Sequence, residues 1–177
     1  VSSATARAVA VRSSIVGPVE AIDLAAPQLT VLGQRVAVVA STVFDDALAM
    51  GMAALALADV IEVHGAYDAA AGRHVATRVE RRGAVPSSYK LRGAVASLSL
   101  ADRTLAIGAA VIDWSAVAPA NPSTALAPGS LLRVTLTTAP GATGIWRATA
   151  LSAAVATLED RERIEVEGRI TSYTTAS

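Results

Sequence analysis

The chain has 177 residues, of which 53% are apolar but only 3% are aromatic, and its 15 basic and 15 acidic residues cancel. A net charge of zero leaves no long-range field that would concentrate nucleic acid or an acidic membrane surface. Cysteine is absent, which excludes disulfides, thiolate chemistry and Cys-based zinc sites. The longest apolar run, Ala47–Ala58, is far shorter than the roughly 20 residues of a membrane-spanning helix.

The first predicted repeat occupies residues 13–83 and consists of short alternating segments separated by turn residues, a pattern typical of a small antiparallel sheet or barrel. It opens with the strand SSIVGPVEAIDL, in which we expect Gly17 to mark a bulge or a sharp bend, because glycine inside a strand otherwise weakens it. Strong helix formers after an acidic pair predict a short helix within Phe44–Asp59. Asp68–Gly72 is predicted to be a hairpin turn.

The second predicted repeat, residues 84–158, carries the same blocks in the same order. YKLRGAVASLSL repeats the opening strand, with Gly93 in the place of Gly17, and WRATALS repeats HVATRVE, including its Ala-Thr pair. Three prolines stand where the first repeat has its predicted helix, so we expect a loop there. Five or so strands with a helix or loop after the third describe an oligonucleotide/oligosaccharide-binding (OB) type barrel. The sequence therefore predicts an all-β protein of two tandem small antiparallel OB-like Greek-key barrels.

Both ends of the chain echo parts of the repeat. Residues 1–12 resemble its closing strand and are predicted to be a strand from a preceding repeat. Residues 159–177 are predicted to be a linker and the opening strand of a third repeat, aligned on Gly168. We expect that last strand to be ordered and paired with an edge of the second barrel, with the N-terminal segment or with a neighbouring molecule. The chain would then be a slice through a longer array.

The blocks GPVEAIDL, LTVLGQRVAV, STVF and LADVIEVHGAYDAAAGRHVATRVE together resemble the bacterial repeats of the domain of unknown function 5666 family. The shared pattern is a Gly-x-Val opening strand, a G-x-x-V second block, a V-x-V-x-G strand and an Ala-Thr closing strand. It covers Ile15–Glu80. The resemblance implies an OB-like β-barrel that occurs in tandem in exported or envelope-associated proteins, and it implies no catalytic residues.

The histidines His64 and His74 are the candidates for metal binding, because the predicted hairpin places both on its outer face near Glu62. Two histidines alone make a weak site, so the favoured interpretation is a pair of solvated surface residues without a metal. Arg78 is expected to form a cross-strand ion pair with Glu62.

Two further groups of residues are candidates for ligand binding. Arg78, Arg81 and Arg82 belong to a basic stretch beside the OB-like face, where a single strand of nucleic acid could run, although a charged, solvated linker is the favoured interpretation. Trp114 and Trp146 could form a platform for a sugar or peptide, although core or interface packing is favoured for them.

The chain lacks a Gly-x-Ser-x-Gly turn, a GxGxxG fingerprint and a P-loop, so we expect neither an enzyme nor a cofactor. The leading hypothesis is a non-enzymatic structural or binding module of a bacterial envelope or secreted protein, located in the periplasm or at the cell envelope. The alternative is an OB-type module that binds carbohydrate or single-stranded nucleic acid. Expected partners are other domains of the same longer protein, or a protein that adds a strand to an exposed edge; oligomers could form through the terminal strands. Nucleic acid is the less favoured ligand.

Overall fold

Ten β-strands carry the fold of the computed structural model, which describes residues 13–117, 126–141 and 143–154. The first strand set comprises β1 (Ile15–Asp23), β2 (Gln28–Val31), β3 (Gln34–Phe44), β4 (Val60–Asp68) and β5 (Arg73–Arg81). The second strand set comprises β6 (Tyr89–Ser99), β7 (Thr104–Ile107), β8 (Ala110–Asp113), β9 (Leu131–Leu136) and β10 (Trp146–Ala153). The prediction of an all-β protein is confirmed.

The first strand set closes into a five-stranded barrel. Its strands pair in the order β1–β2–β3–β5–β4 and back to β1, and every pair is antiparallel except β3–β5, which is parallel. The second strand set pairs in the corresponding order, and its parallel link between β8 and β10 consists of Trp146 opposite Ile112 and Arg147 opposite Asp113. A tandem of two OB-like barrels with the boundaries given above stays a prediction.

A short ladder between β1 and β6 joins the two strand sets. Ile15 lies opposite Leu91 and Val16 opposite Lys90 in an antiparallel register. The buried side of the strands follows from their alternation, as in β9, where Leu132, Val134 and Leu136 point into the core and the residues between them are half-buried. Burial of an aliphatic side chain of this size stabilises the fold by about 1.5–3 kcal/mol.

Two short 3-10 helices, Asp46–Leu48 and Gly51–Ala54, connect β3 to β4, where the sequence predicted one short helix. The helical segment is divided in two because Gly51 adopts φ +62, which interrupts a right-handed helix. Leu48 and Met52 from these turns are buried in the hydrophobic core. The strong helix formers in this segment therefore contribute apolar contacts rather than a regular helix.

The repeated glycine has a packing role. Of the two alternatives predicted for Gly17, the bulge is wrong and the sharp bend stays a prediction. Gly17 lies in regular register opposite Ile61, and the irregularity of β1 comes later in the strand, after Val19. A Cβ atom at Gly17 would lie 2.5 Å from Cγ of the buried Leu32, and one at Gly93 would lie 2.4 Å from Cγ2 of Ile107. Both strands need glycine because a buried aliphatic side chain occupies the space of the missing Cβ.

The repeated Ala-Thr pair marks a bulge in the last strand of each set. The register of β5 against β4 shifts across Thr77, and that of β10 against β9 shifts across Thr149. Each threonine donates its hydroxyl to a carbonyl across the bulge, Thr77 to His64 at 3.2 Å and Thr149 to Thr135 at 3.3 Å. The preceding alanines are buried. Each Ala-Thr pair therefore combines a small core residue with a threonine that hydrogen-bonds to the neighbouring strand.

None of the helices in the described ranges has the length and apolar character needed to cross a membrane. The strand predicted in residues 1–12 and the linker and opening strand predicted in residues 159–177 lie outside the described residues, as does the proline-rich stretch 118–125.

Candidate functional site

A groove of about 720 Å³ opens on the second strand set, between β7, β8, the start of β10 and the loop that joins β9 to β10. Eight of its twelve lining residues are polar or charged. The lining residues are Asp102, Thr104, Asp113, Ser115, Thr137, Thr138, Ala139, Pro140, Gly141, Thr143, Ile145 and Arg147. The groove thus combines threonine and serine hydroxyls with two carboxylates and one guanidinium.

The length of the β9–β10 loop creates one wall of this groove. The loop covers residues 137–145, whereas the corresponding turn of the first strand set covers only residues 69–72. Backbone bonds hold its tip, from the amide of Gly144 to the carbonyl of Gly141 at 2.9 Å and from the amide of Gly141 to the carbonyl of Ile145 at 2.9 Å. At its base, the hydroxyl of Thr137 donates to the carbonyl of Ala139 at 2.9 Å. These bonds hold the described residues of the loop against one another.

Three charged or polar residues form a row across the floor of the groove. Thr104 of β7 lies opposite Asp113 of β8, and Asp113 lies opposite Arg147 of β10. The amide of Ser115 donates to Oδ1 of Asp113 at 2.7 Å. Hydrogen bonds from the side chain and the backbone of Ser115 lower the pKa of Asp113, and the positive charges of Arg147 and Arg103 act in the same direction. The groove therefore presents an ionised carboxylate beside a guanidinium.

Such a lining suits a polar ligand that both donates and accepts hydrogen bonds. The carboxylate of Asp113 accepts from a ligand hydroxyl, the guanidinium of Arg147 donates to one, and the threonine hydroxyls do either. Aromatic residues are missing from the lining within the described ranges, so the groove offers no stacking surface of its own. Asp102 and Asp113 would also repel the phosphates of a nucleic acid.

A second polar cluster lies on the β4–β5 pair of the first strand set and contains Glu62, His64 and Glu80. His64 Nε2 lies 3.4 Å from Oε1 of Glu62 and 3.7 Å from Oε2 of Glu80. Sequence reasoning named His64 as a metal candidate and placed Glu62 near it, but it missed Glu80. The pairing register brings Glu80 directly opposite Glu62, and the bulge at Thr77 sets that register.

His74 does not belong to this cluster, contrary to the expectation that both histidines lie on the outer face of the hairpin. His74 is fully buried, and its ring packs at 5.1 Å between centroids from the ring of Tyr67. Burial lowers the pKa of His74 to about 4, and the charge of Arg92 acts in the same direction, whereas a contact with the backbone of Arg92 raises the pKa. His74 lies opposite Tyr67, between the hairpin turn and the bulge at Thr77, so the register that the turn sets places its ring on the buried face.

The three arginines predicted to bind a ligand all form ion pairs within the protein. The pairs are Arg78–Glu80, Arg81–Asp59 and Arg82–Glu62. The expected pair of Arg78 with Glu62 is therefore wrong, because Arg78 lies opposite His64 and contacts Glu80 at 2.5 Å. Carboxylates neutralise these arginines, so the three do not present an uncompensated cationic track.

The two tryptophans occupy different environments in the second strand set. Trp114 is buried, with the guanidinium of Arg103 at 4.8 Å from its ring centre. Trp146 is half-buried and packs edge-on against Tyr89, with ring centroids 5.8 Å apart. Their surroundings match core packing, and the role of the pair in ligand binding stays a prediction.

The sequence analysis did not predict the groove, although the length of the loop before Trp146 was a visible indication of it. Thr104, Asp113 and Arg147 are far apart in the chain and match no motif, so only strand pairing reveals them as one row. The longer glycine- and proline-containing loop before Trp146 was visible as a difference between the repeats. The sequence analysis drew no site from it.

In comparisons with known proteins, one segment of the chain matches a protein family. Residues 16–80 match the family model of a domain of unknown function, DUF5666. The matched range covers all strands of the barrel β1–β5 apart from single residues at its two ends. No curated protein and no solved structure shows significant similarity to the chain.

Proposed function

We propose that this protein, in which residues 16–80 are a domain of the DUF5666 family, is a non-enzymatic binding module whose groove takes carbohydrate. The observation that carries the proposal is the polar groove over β7 and β8. The face formed by the second and third strands of an OB-type barrel, with its neighbouring loops, is where such barrels bind oligosaccharides and oligonucleotides. β7 and β8 are the second and third strands of their set.

The chemistry of the lining favours carbohydrate over single-stranded nucleic acid. Sugar hydroxyls are neutral and can pair with the carboxylate of Asp113, the guanidinium of Arg147 and the hydroxyl of Thr104 together. A nucleic acid would need an excess of positive charge and stacking aromatics, and the groove combines its one arginine with Asp102 and Asp113. The openness of the groove to solvent suits one part of an extended chain of sugars.

The setting that we propose is the periplasm or the envelope of a bacterium, where the protein acts as part of a longer repeat array. This part of the proposal rests on the kind of protein in which the resembling repeats occur. Fractionation of cells that express the full-length gene, followed by detection of the product, would test it. Recovery in the cytoplasm alone would contradict it.

Calorimetric titration of the protein with a panel of oligosaccharides tests the groove. We expect Asp113→Ala and Arg147→Ala each to weaken binding by about tenfold or more, because a hydrogen bond to a charged group contributes about 1.5–3 kcal/mol. The matched control is Gln28→Ala, which changes the position of the first strand set that corresponds to Thr104. This control should leave binding unchanged.

Three outcomes would contradict the proposal. Equal losses in the groove variants and in Gln28→Ala would show that the ligand does not bind in the groove. Failure of every oligosaccharide, together with oligonucleotide binding that weakens steeply with salt, would favour the nucleic-acid alternative. Conversion of a bound oligosaccharide into product would show that the module is an enzyme.

A further inference from the structure

The cluster of Glu62, His64 and Glu80 has the geometry of a metal-ligand set. The ligand atoms of the three residues lie within 4.8 Å of one another, and His64 Nε2 is 3.4 Å from Glu62 Oε1 and 3.7 Å from Glu80 Oε2. Tetrahedral zinc with bonds of about 2.0–2.2 Å to nitrogen and oxygen separates neighbouring ligand atoms by roughly 3.3–3.6 Å. Binding of zinc by these three residues would therefore require only a small movement of the Glu80 side chain toward the other two.

The register of the β4–β5 pair places two carboxylates where they would repel each other. Glu62 and Glu80 are directly opposite each other across the two antiparallel strands. Like charges at such positions are destabilising unless a positive group lies between them. His64, two residues after Glu62 on the same strand, turns its Nε2 toward both carboxylates.

Two arginines hold the carboxylates in this orientation. Arg82 Nη2 donates to Oε2 of Glu62, and Arg78 Nε donates to Oε1 of Glu80 at 2.5 Å. Each glutamate thus gives one oxygen to an arginine and turns the other toward His64. Hydrogen bonds of this kind to the outer atom of a ligand fix its orientation in metal sites.

The accessibility of the cluster suits a bound ion that keeps a water ligand. The side chains of Glu62 and His64 are 11% and 13% exposed, whereas that of Glu80 is 29% exposed and leaves an entry from solvent. Three protein ligands leave the fourth tetrahedral position to water. Magnesium and calcium prefer six or more oxygen ligands, which a set of two carboxylates and one imidazole does not supply.

We propose that Glu62, His64 and Glu80 bind a divalent transition-metal ion of which Zn²⁺ is the best-fitting example, with Arg78 and Arg82 as positioning residues. The site belongs to the first strand set and is independent of the groove. At the corresponding register positions, the second strand set carries Arg133, Thr135 and Ser152 in place of the three ligands. The β9–β10 pair therefore serves as an internal control, because it has the same register as β4–β5 but lacks the three ligand residues.

The test is equilibrium dialysis of the tag-free protein against Zn²⁺, with the metal content measured by mass spectrometry. We expect the protein to retain about one zinc per chain, as in a site with three protein ligands. His64→Gln and Glu80→Gln should each abolish retention. Asp113→Asn, which removes a carboxylate of the groove instead, should retain zinc like the unchanged protein.

A second measurement separates a metal site from an ion-pair network. Zn²⁺ should raise the unfolding temperature of the unchanged protein, because an ion that binds only the folded state stabilises it. Mg²⁺ should not raise it. Arg82→Ala should weaken zinc binding by about 10–100-fold without abolishing it, as expected for a residue that orients a ligand.

Retention of zinc in both His64→Gln and Glu80→Gln, or no retention by the unchanged protein, would overturn the proposal. If His64→Gln fails to fold, as judged by circular dichroism, the more exposed Glu80→Gln decides the question. Sugar binding by the groove is measured separately, so either proposal can fail while the other stands.

Discussion

The two strand sets carry the same glycine and threonine residues at the register positions that shape the barrel strands. They differ in the polar and charged residues that form the two candidate sites. Gly17 and Gly93 make room for a buried aliphatic side chain, and Thr77 and Thr149 bond across a bulge to the neighbouring strand. These positions are shared because they satisfy backbone geometry and close packing, which any ligand-binding or metal-binding variant of the barrel must keep.

The differences between the two sets coincide with the two candidate sites. The row that lines the groove consists of Thr104, Asp113 and Arg147 in the second set, and the corresponding residues of the first set are Gln28, Ala37 and Val75. The metal cluster lies in the first set alone, since only that set carries its three ligands. The comparison shows that residues shared by the two sets stabilise the fold, whereas residues that differ between them form the candidate binding sites.

The largest expected effect concerns His74, which occupies the position of Trp146 in the second set. Burial lowers its pKa from 6.5 to about 4, so the unfolded chain binds more protons than the folded one between those values. The contribution of neutral His74 to the free energy of unfolding is therefore fully present above pH 6.5 and is lost as the pH falls toward 4, by about 3 kcal/mol.

Urea unfolding at a series of pH values measures this effect. We expect His74→Leu to flatten the loss of stability across that window, because leucine does not titrate. Thr30→Val is the control, because it removes no titratable group and should keep the slope of the unchanged protein. Parallel curves for the unchanged protein and His74→Leu would show that His74 is not the group responsible.

The next effect tests the equivalence of the two glycines. Gly17→Ala and Gly93→Ala should each lower the free energy of unfolding by about 1–3 kcal/mol, because the added Cβ overlaps a buried side chain. Gly83→Ala is the control, since a Cβ there has no atom within 4 Å. Denaturant unfolding would measure all three. A loss at only one of Gly17 and Gly93 would break the comparison between the sets.

The smallest effect concerns the bulges. Thr77→Val and Thr149→Val keep the branched shape but remove a hydroxyl that bonds to a carbonyl across the bulge. We expect losses of about 0.5–1 kcal/mol in each case, the low end for a hydrogen bond, because both threonines are exposed. Thr30→Val, away from either bulge, serves as the reference. Thermal unfolding would measure the three variants. Equal unfolding temperatures would show that the hydroxyls of Thr77 and Thr149 do not stabilise the bulges.

Sequence reasoning succeeded where a local pattern controls the structure. Alternating residues and turn signals predicted strands, and the description of the chain as all-β is confirmed. It located the repeated Gly17 and Gly93 as structural positions. It assigned them a bulge or a sharp bend, because their close neighbours, Leu32 of the turn after β2 and Ile107 of β7, come from other segments of the chain. It also assigned a helix to a segment that Gly51 divides into two short turns.

The candidate sites were harder to predict because they depend on register. A single bulge at Thr77 decides that Glu80 faces Glu62, whereas the hairpin turn sets the register that places His74 opposite Tyr67 and in the core. Likewise, Asp113 and Arg147 become neighbours only through the short parallel link between β8 and β10. Alternation within one strand contains no information about the partner strand or about the shift between them.

The sequence by itself determined the strand-rich character of the protein, the recurrence of its blocks and the match of residues 16–80 to the DUF5666 family model. These properties follow from local composition and spacing. Only the tertiary structure decided which charged residues meet, which histidine is buried and where the groove opens. The reason is physical: pairing between distant strands and the long β9–β10 loop set these distances, and neither is encoded in the periodicity of a single segment.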